Sequence, residues 1–396
     1  MQIIIHRGTH QIGGCVTEIR TAASRILIDM GSELPDESGH APPERLSIPG
    51  VTHGPAQCDG IFVTHYHGDH AGSLSLALPG IPVYMGAAAR EILLAFYKRR
   101  HQPPPRSPDG ILTIAAGTPI NAGDIRVTPV LTDHSAYDAY MFVVEAEGKK
   151  ILHTGDFRLH GFRSKAVLPT LAKHVGQVDV LITEGTTFSR EAPTYETERD
   201  LQLRARKLLR EWPYVFVLCA STHLDRIAAF HEATPAGKYF FCDGYQKGVL
   251  EIGRRYGAKY TALYNYSKAL VYGDNLRDKA LERGFVMLVR ATPSFMPLLE
   301  EFRTGHPEKC LLVYSMWEGY LRQPGSQLQN LMQSFAHTQC LHVSGHASPP
   351  DIASVCQAVA PRRAILPIHT VSPAGIHALG LPFPVVSLRD GQLFDV

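Results

Sequence analysis

The sequence lacks paired cysteine motifs and long apolar runs. Its seven cysteines are scattered, and none forms the C-x-x-C spacing of a zinc ribbon or a redox motif, so reduced thiols in a cytosol fit best. No stretch approaches the roughly 20 apolar residues that a transmembrane helix requires. The opening residues, MQIIIHRGTH, contain an apolar run far too short for a signal peptide. These absences predict a soluble, cytoplasmic protein with no membrane partner.

Neither sign of charge dominates, and no low-complexity tract or internal repeat is present. The formal net charge is +2, so whole-chain electrostatics neither demands nor excludes a polyanionic partner. Hydrophobic residues make up 44% and charged residues 19%, which is typical of an ordinary globular chain. At roughly 100–200 residues per domain, 396 residues allow two or three domains.

The character of the sequence changes twice along the chain. Residues 1–190 alternate short apolar runs with Gly, Pro and Asp turns, which predicts strands in an α/β layered fold. Residues 191–340 contain longer helical stretches between apolar runs, which predicts βαβ units with their own parallel sheet. Residues 341–396 return to the first style and end in a predicted hairpin around Asp390 and Gly391. If this tail completes the first domain, the middle segment is an insertion.

The segment IFVTHYHGDHAG places His65, His67, Asp69 and His70 directly after a predicted buried strand. Imidazole and carboxylate groups suit zinc, manganese or iron, and one short loop of this kind can serve two adjacent metal ions. The alternative is that these are solvated loop residues or core histidines. The full H-x-H-x-D-H pattern favours metal ligands.

Three further polar residues each follow the end of an apolar run: His134, Asp156 and His369. Any one of them alone fits a capping or turn position. Because loops at one edge of a sheet converge in space, we expect them to join the histidine-rich loop. Two metal ions about 3.5–4 Å apart can share a hydroxide and stabilise both oxygens of a displacement, so the predicted reaction class is hydrolysis.

These motifs resemble the metallo-β-lactamase superfamily. THYHGDHAG is similar to its signature loop, DHSAYD to the motif of the next histidine, and TGDFR to the motif of the bridging aspartate. The resemblance implies two divalent ions, most readily zinc, with manganese as the alternative. It divides the seven implied ligands between them: His65, His67 and His134 on one ion, Asp69, His70 and His369 on the other, and Asp156 bridging.

Later motifs resemble the β-CASP nuclease branch of that superfamily, especially the bacterial ribonuclease J group. Its acidic residue corresponds to Glu184 in VLITEGT, and its two histidines correspond to His346 in HVSGHAS and His369 in ILPIHT. The implied fold is an α/β protein with a metallo-β-lactamase αββα sandwich and an inserted α/β β-CASP domain over 191–340. By comparison with ribonuclease J, a chain ending at 396 has no room for the additional C-terminal domain of that enzyme.

The resemblance also assigns roles. A metal-bridging hydroxide would attack a backbone phosphorus, and the implied catalytic residues are Asp69, Glu184 and His346. Glu184 would orient a ligand histidine, while His346, with Ser344 beside it, would contact the scissile phosphate. The alternative is that Ser344 lies in an ordinary turn and His346 is an ordinary residue at the start of a helix.

The segment CASTHLDRI resembles a strand-to-helix turn that holds substrate phosphates in ribonuclease J enzymes. Ser221 and Thr222 are the candidates, because a helix start presents free N–H groups to an anion. Equally, either residue could simply cap the helix.

The leading hypothesis is a nuclease that cuts single-stranded RNA, as a 5′-exonuclease, an endonuclease or both, with DNA as the alternative polymer. A second hypothesis is a dinuclear-metal hydrolase of a small phosphodiester, ester or thioester. A third is a non-catalytic RNA-binding protein on the same fold. Self-association into a homo-oligomer is left open by the sequence.

Overall fold

The computed structural model describes residues 1–36, 39–40, 42–190, 196–323 and 325–396. These residues form two compact units. The larger unit comprises the described residues of Met1–Asp36, His40–Tyr195 and Gly345–Val396. The smaller unit comprises those of Glu196–Ser344 together with Gly39. The predicted start of the inserted domain, residue 191, lies outside the described residues.

The strands are numbered in chain order. They are β1 (Gln2–Arg7), β2 (Val16–Arg20), β3 (Arg25–Ile28), β4 (Gly60–Phe62), β5 (Val83–Gly86), β6 (Ile111–Ile114), β7 (Ile120–Ala122), β8 (Ile125–Leu131), β9 (Tyr140–Ala146), β10 (Lys149–His153), β11 (Val180–Glu184), β12 (Tyr214–Leu218), β13 (Tyr239–Cys242), β14 (Ala269–Val271), β15 (Phe285–Val289), β16 (Cys310–Tyr314), β17 (Thr338–Cys340), β18 (Ala364–Ile368) and β19 (Leu393–Asp395).

The α-helices are numbered in the same way. They are α1 (Gly68–Ala71), α2 (Ala87–Arg99), α3 (Val167–Thr170), α4 (Glu198–Glu211), α5 (Leu224–Ala233), α6 (Gly244–Gly257), α7 (Arg277–Arg283), α8 (Met296–Gly305), α9 (Gln327–Ser334) and α10 (Pro349–Val359). Among the described residues, none of the helices combines the length and the apolar character that crossing a bilayer requires.

The larger unit contains two sheets with strand orders β19-β1-β2-β3-β4-β5-β6 and β18-β11-β10-β9-β8-β7 among the described residues. Isoleucine, valine and phenylalanine side chains from both sheets form one core, with Ile5 and Ile28 from the first sheet and Phe142 and Ile182 from the second. A second apolar cluster, which includes Leu171, packs α3 and α10 on the second sheet. The predicted αββα sandwich is therefore confirmed.

The parallel parts of both sheets determine where the polar loops lie. Strands β3 to β6 run parallel in the first sheet, and β10, β11 and β18 run parallel in the second. The loops at the carboxyl ends of parallel strands emerge at the same edge of a sheet. The motif that follows β4 therefore lies at the carboxyl edge of the first sheet, and the motifs that follow β10, β11 and β18 lie at the carboxyl edge of the second.

The predicted C-terminal hairpin is wrong. Strand β19 pairs antiparallel with β1 instead of folding back on the preceding residues. The predicted Asp-Gly turn itself forms, since Gln392 donates its N–H to the carbonyl of Arg389 at 3.0 Å. Long-range contacts also hold it, because Gly391 donates its N–H to the carbonyl of Ile5, and Asp390 accepts hydrogen bonds from Thr9. The unpaired edge of β1 offers a full row of backbone partners, and this outweighs the local preference of an Asp-Gly turn for a hairpin.

The smaller unit contains a sheet with strand order β14-β13-β15-β12-β16-β17, in which the pairs formed by described residues are all parallel, as predicted. Helix α4 begins with a capping box in which Thr197 and Asp200 exchange side-chain and backbone hydrogen bonds. In the interior, Arg226 forms an ion pair with Glu198, and neither side chain is exposed to solvent.

Candidate metal centre

The histidine-rich loop follows β4 and is held from behind by Asp29, which lies just past β3. Asp29 accepts hydrogen bonds from the backbone N–H and the hydroxyl of Thr64, at 2.7 and 2.8 Å. Two residues later, Gly31 passes so close to the loop that an added Cβ would lie 1.7 Å from the carbonyl oxygen of Asp69. Only glycine allows this approach, so the short Asp-Met-Gly segment supports the loop.

Three of the predicted ligands, His65, His67 and His134, form one group. Nε2 of His65 lies 3.1 Å from Nδ1 of His67, and Nε2 of His134 lies 3.4 Å from the same atom. His65 and His134 are completely buried. Three imidazole nitrogens at these separations match the donor set of a zinc site with three histidines.

Asp156, just past β10, lies at the centre of the cluster. Its Oδ2 is 3.2 Å from Nε2 of His70, 3.7 Å from Nε2 of His369, 3.9 Å from Nε2 of His65 and 4.0 Å from Nε2 of His134. One carboxylate oxygen therefore faces histidines from both predicted ligand groups. This is the position that a bridging ligand requires.

The second predicted group contains Asp69, His70 and His369. Nε2 of His369 lies 3.1 Å from Oδ2 of Asp69, and Nε2 of His70 lies 4.0 Å from the same oxygen. His369 has φ of 51°, a left-handed conformation that is uncommon outside glycine. Such strain persists only where the surroundings enforce it, and here it turns the residue after β18 towards the cluster.

Two buried polar groups indicate that this cluster suits cations. Among the described residues, neither carboxylate oxygen of Asp156 has a hydrogen-bond partner of good geometry, and Nε2 of His70 also lacks one. Burying polar atoms without hydrogen bonds of good geometry costs free energy. Divalent ions would satisfy these atoms, because imidazole and carboxylate groups are the donors that such ions use. The residues therefore fit a two-ion centre.

Hydrogen bonds to the outer ring nitrogens orient most of the predicted ligand histidines. Nδ1 of His70 donates to Asp29 at 2.7 Å, and Nδ1 of His134 donates to the carbonyl of Gly345 at 2.6 Å. Nδ1 of His369 lies 2.7 Å from the hydroxyl of Thr186. These contacts direct Nε2 of each ring towards the cluster, as in known metal sites.

The two groups differ in their tendency to carry a proton. Burial lowers the pKa of His65, His67 and His134, to about 4 for His67. Burial also opposes the charged form of His70, but the carboxylates of Asp156 and Asp29 raise its pKa. Metal ligation requires neutral imidazole, and the first group is already neutral near pH 7.

The comparisons with known proteins agree with this fold. Residues 24–229, more than half of the chain, match the model of the family described as "Beta-lactamase superfamily domain". The chain belongs to the metallo-β-lactamase superfamily. A crystal structure of a protein of unknown function from Enterococcus faecalis V583 superimposes on it with a TM-score of 0.75, at 19% identity, covering 99% of each chain.

Curated relatives of this metallo-β-lactamase superfamily protein include two named ribonuclease J. One, from Sinorhizobium meliloti, is 26% identical across 93% of this chain and 68% of its own length. The other, from Helicobacter pylori J99, is 25% identical across 62% of this chain but only 35% of its own length. A protein named probable RNase MJ4 from Methanocaldococcus jannaschii is 24% identical across 47% of this chain. The chain thus resembles ribonuclease J, and its family and relatives indicate a hydrolase with divalent metal ions.

Glu184 and His346 lie beside the cluster of predicted ligands in the larger unit. Nδ1 of His346 donates to Oε2 of Glu184 at 3.0 Å and lies 3.5 Å from Oδ2 of Asp156. The resemblance predicted that Glu184 contacts a ligand histidine; the histidine it contacts here is His346, outside the predicted ligand set. His346 is partly exposed, whereas Glu184 is completely buried.

The predicted substrate contacts Ser221, Thr222 and Ser344 lie in the smaller unit. The hydroxyl of Ser221 accepts a hydrogen bond from Arg290 at 3.3 Å, so the guanidinium of Arg290, which follows β15, lies beside this turn. The alternative prediction that Ser221 or Thr222 caps α5 does not match the structure, because the N-cap position is His223 and it makes no side-chain cap. Ser344 is half-buried at the end of this unit.

Sequence reasoning missed Asp29 and Thr186, which contact the predicted ligands His70 and His369. A signal for Asp29 was present, since it is an acidic residue at the end of an apolar run in SRILIDMG, like Asp156 and Glu184. Thr186 offered no such signal, because a threonine after a strand is common. By contrast, Tyr66 beside the ligands is a packing residue, with its hydroxyl accepting the N–H of Tyr137 at 2.8 Å.

Proposed function

We propose that this chain is a metal-dependent nuclease that cleaves phosphodiester bonds in single-stranded RNA. The observation that carries the proposal is the position of Asp156, whose Oδ2 lies within 4.0 Å of ring nitrogens from four predicted ligand histidines on three separate chain segments. This arrangement is the one expected of a carboxylate shared by two divalent ions.

Two bound divalent ions would supply a nucleophilic oxygen at neutral pH and neutralise charge on the phosphorane. The protein side chains do the rest. His65, His67 and His134 would hold one ion, and Asp69, His70 and His369 the other. His346 is held by Glu184 at the partly exposed side of the cluster, where its Nε2 can contact a substrate phosphate or the leaving oxygen.

The choice of RNA rests on the relatives. Two of the three curated relatives described above are named ribonuclease J, and the similarity to one of them covers 93% of this chain. The motif residues that carry the resemblance, including Glu184 and His346, converge on one cluster rather than being scattered over the fold. Single-stranded RNA is therefore the proposed partner and zinc the proposed metal, with manganese as the alternative.

A second candidate is a hydrolase of small phosphodiesters. The predicted metal ligands all belong to the larger unit. None of the predicted ligands comes from the smaller unit, and a small substrate can use the same residues. Measured substrate preference separates the two candidates.

The test compares three proteins loaded with Zn²⁺ or Mn²⁺: wild type, a His67→Ala, Asp69→Ala double variant, and His174→Ala. His174 is an exposed histidine of the same unit and serves as the matched control. Substrates are end-labelled single-stranded RNA with a 5′-monophosphate, its DNA counterpart, and bis-p-nitrophenyl phosphate. The products of the labelled polymers are resolved on a gel, and hydrolysis of bis-p-nitrophenyl phosphate is measured by absorbance.

Cleavage of RNA by wild type and His174→Ala, but not by the double variant, is the expected result. The product ladder then separates exonucleolytic from internal cutting. Cleavage of bis-p-nitrophenyl phosphate without cleavage of either polymer would replace the nuclease by a small-molecule phosphodiesterase. Failure of the protein to bind divalent metal at all would overturn both candidates.

A further inference from the structure

A buried thiol lies beside the second ligand group. Cys15 directly precedes β2, and it is 1% exposed. Its sulfur, a ring nitrogen of His70 and a ring nitrogen of His369 all lie within 4.8 Å of one another. Three potential ligand atoms from three distant chain segments therefore lie close together.

Backbone hydrogen bonds place this thiol. The N–H of Cys15 donates to the carbonyl of Asp69 at 3.0 Å, and its own carbonyl accepts the N–H of Gly31 at 3.0 Å. On the other side, Gly8 accepts the N–H of His369 at 2.7 Å, and a Cβ on Gly8 would lie 3.4 Å from the sulfur. The residues that carry the ligands and the residue that carries the thiol are thus tied together through the main chain.

The alternative is that Cys15 is a small apolar side chain in the core, as buried cysteines commonly are. The other buried cysteines allow a comparison. Cys356 is also completely buried, on α10 of the same unit, within an apolar cluster. Among the described residues, Cys15 is the cysteine that falls in a group of potential metal ligands.

We propose that the Cys15 sulfur is a ligand of the second metal ion, together with Asp69, His70 and His369. The proposal rests on the metal centre of the proposed function and extends it to metal choice. Sulfur binds as the thiolate, with the proton released to solvent as the metal–sulfur bond forms. Because thiolate is a soft donor, it favours zinc or cobalt over manganese at this position.

Cobalt spectroscopy tests the assignment independently of activity. The full chain is loaded with Co²⁺ as wild type, Cys15→Ser and Cys356→Ser, and bound cobalt is counted by elemental analysis. We expect two ions per chain in wild type and a thiolate-to-cobalt charge-transfer band in the near ultraviolet. Cys356→Ser should keep that band, whereas Cys15→Ser should lose it and bind zinc at the second position at least about tenfold more weakly.

Two bound cobalt ions without the band, or a band that survives in Cys15→Ser, would overturn the inference and leave the nuclease proposal standing. Absence of metal binding would overturn both. If Cys15→Ser does not fold, zinc-edge X-ray absorption of the wild type decides: one sulfur per two zinc ions supports the assignment, and shells of nitrogen and oxygen alone contradict it.

Discussion

Glu184 fixes the position of His346. Its Oε2 accepts a hydrogen bond from Nδ1 of His346 at 3.0 Å, while its Oε1 accepts the backbone N–H groups of Phe157 at 2.8 Å and Ala347 at 3.4 Å. One buried carboxylate therefore connects the segment after β10 to the residue that follows His346. This contact determines which nitrogen of His346 faces the cluster.

Glu184→Gln should reduce turnover with little effect on metal content. The glutamine amide carries no negative charge, so its hydrogen bond with Nδ1–H of His346 is weaker. The imidazole ring is then held less firmly in its orientation. We expect kcat on RNA to fall about 10- to 100-fold while KM changes little. Glu145→Gln, a partly exposed glutamate on β9, is the control and should behave as wild type. Equal kcat values for Glu184→Gln and wild type would show that the contact has no role in turnover.

Asp29→Asn should weaken metal binding without changing the backbone conformation. Asparagine also adopts the left-handed conformation seen at this position, with φ of 61°. An amide NH₂ facing Nδ1 of His70 would move the ring proton to Nε2, the nitrogen that faces the cluster. We expect zinc affinity to fall about 10- to 100-fold in a chelator-competition titration. The exposed Asp109→Asn is the control, and an unchanged affinity in Asp29→Asn would exclude the proposed orientation of His70.

Arg226→Met should strongly destabilise the smaller unit. The guanidinium bonds Glu198 at 2.9 Å and the carbonyl of Val343 at 2.9 Å, and it is fully buried. Its loss removes the guanidinium that faces the buried charge of Glu198, which costs roughly 3–5 kcal/mol of unfolding free energy. Urea denaturation of the full chain measures this value. Adding Glu198→Gln should recover part of the loss, and no recovery would mean that the charge is not the cause.

Asp351→Asn should reduce the free energy of unfolding at neutral pH but not at acidic pH. Burial opposes ionisation of Asp351, but hydrogen bonds from His160 and from the N–H of Ser348 outweigh it and lower its pKa. A carboxyl group whose pKa is lowered by folding stabilises the fold at pH values above its pKa in the unfolded state. This contribution disappears as the pH falls through its pKa in the folded state. We expect a deficit of about 0.5–2 kcal/mol near pH 7. Denaturation curves at several pH values should show the deficit shrinking below about pH 4.

Local patterns were sufficient for much of the fold. Apolar runs flanked by turns coincide with β4, β5 and β18, and helical periodicity coincides with α2 and α4. These elements form where the residues themselves favour them, because burial periodicity and capping are short-range properties. The C-terminal segment is the counterexample, since its Asp-Gly turn indicates a hairpin and the open edge of β1 captures β19 instead.

The amino-acid sequence by itself determined the types of donor atom and the strand ends on which they lie, because a strand followed by a histidine-rich loop is encoded within a dozen residues. Only the tertiary structure decided that Asp156 faces both ligand groups, that Glu184 contacts His346 and that Cys15 lies beside His70 and His369. Those relationships join residues up to 354 positions apart along the chain, from Cys15 to His369. They depend on how two sheets pack and on which backbone edges pair, and no local pattern records either.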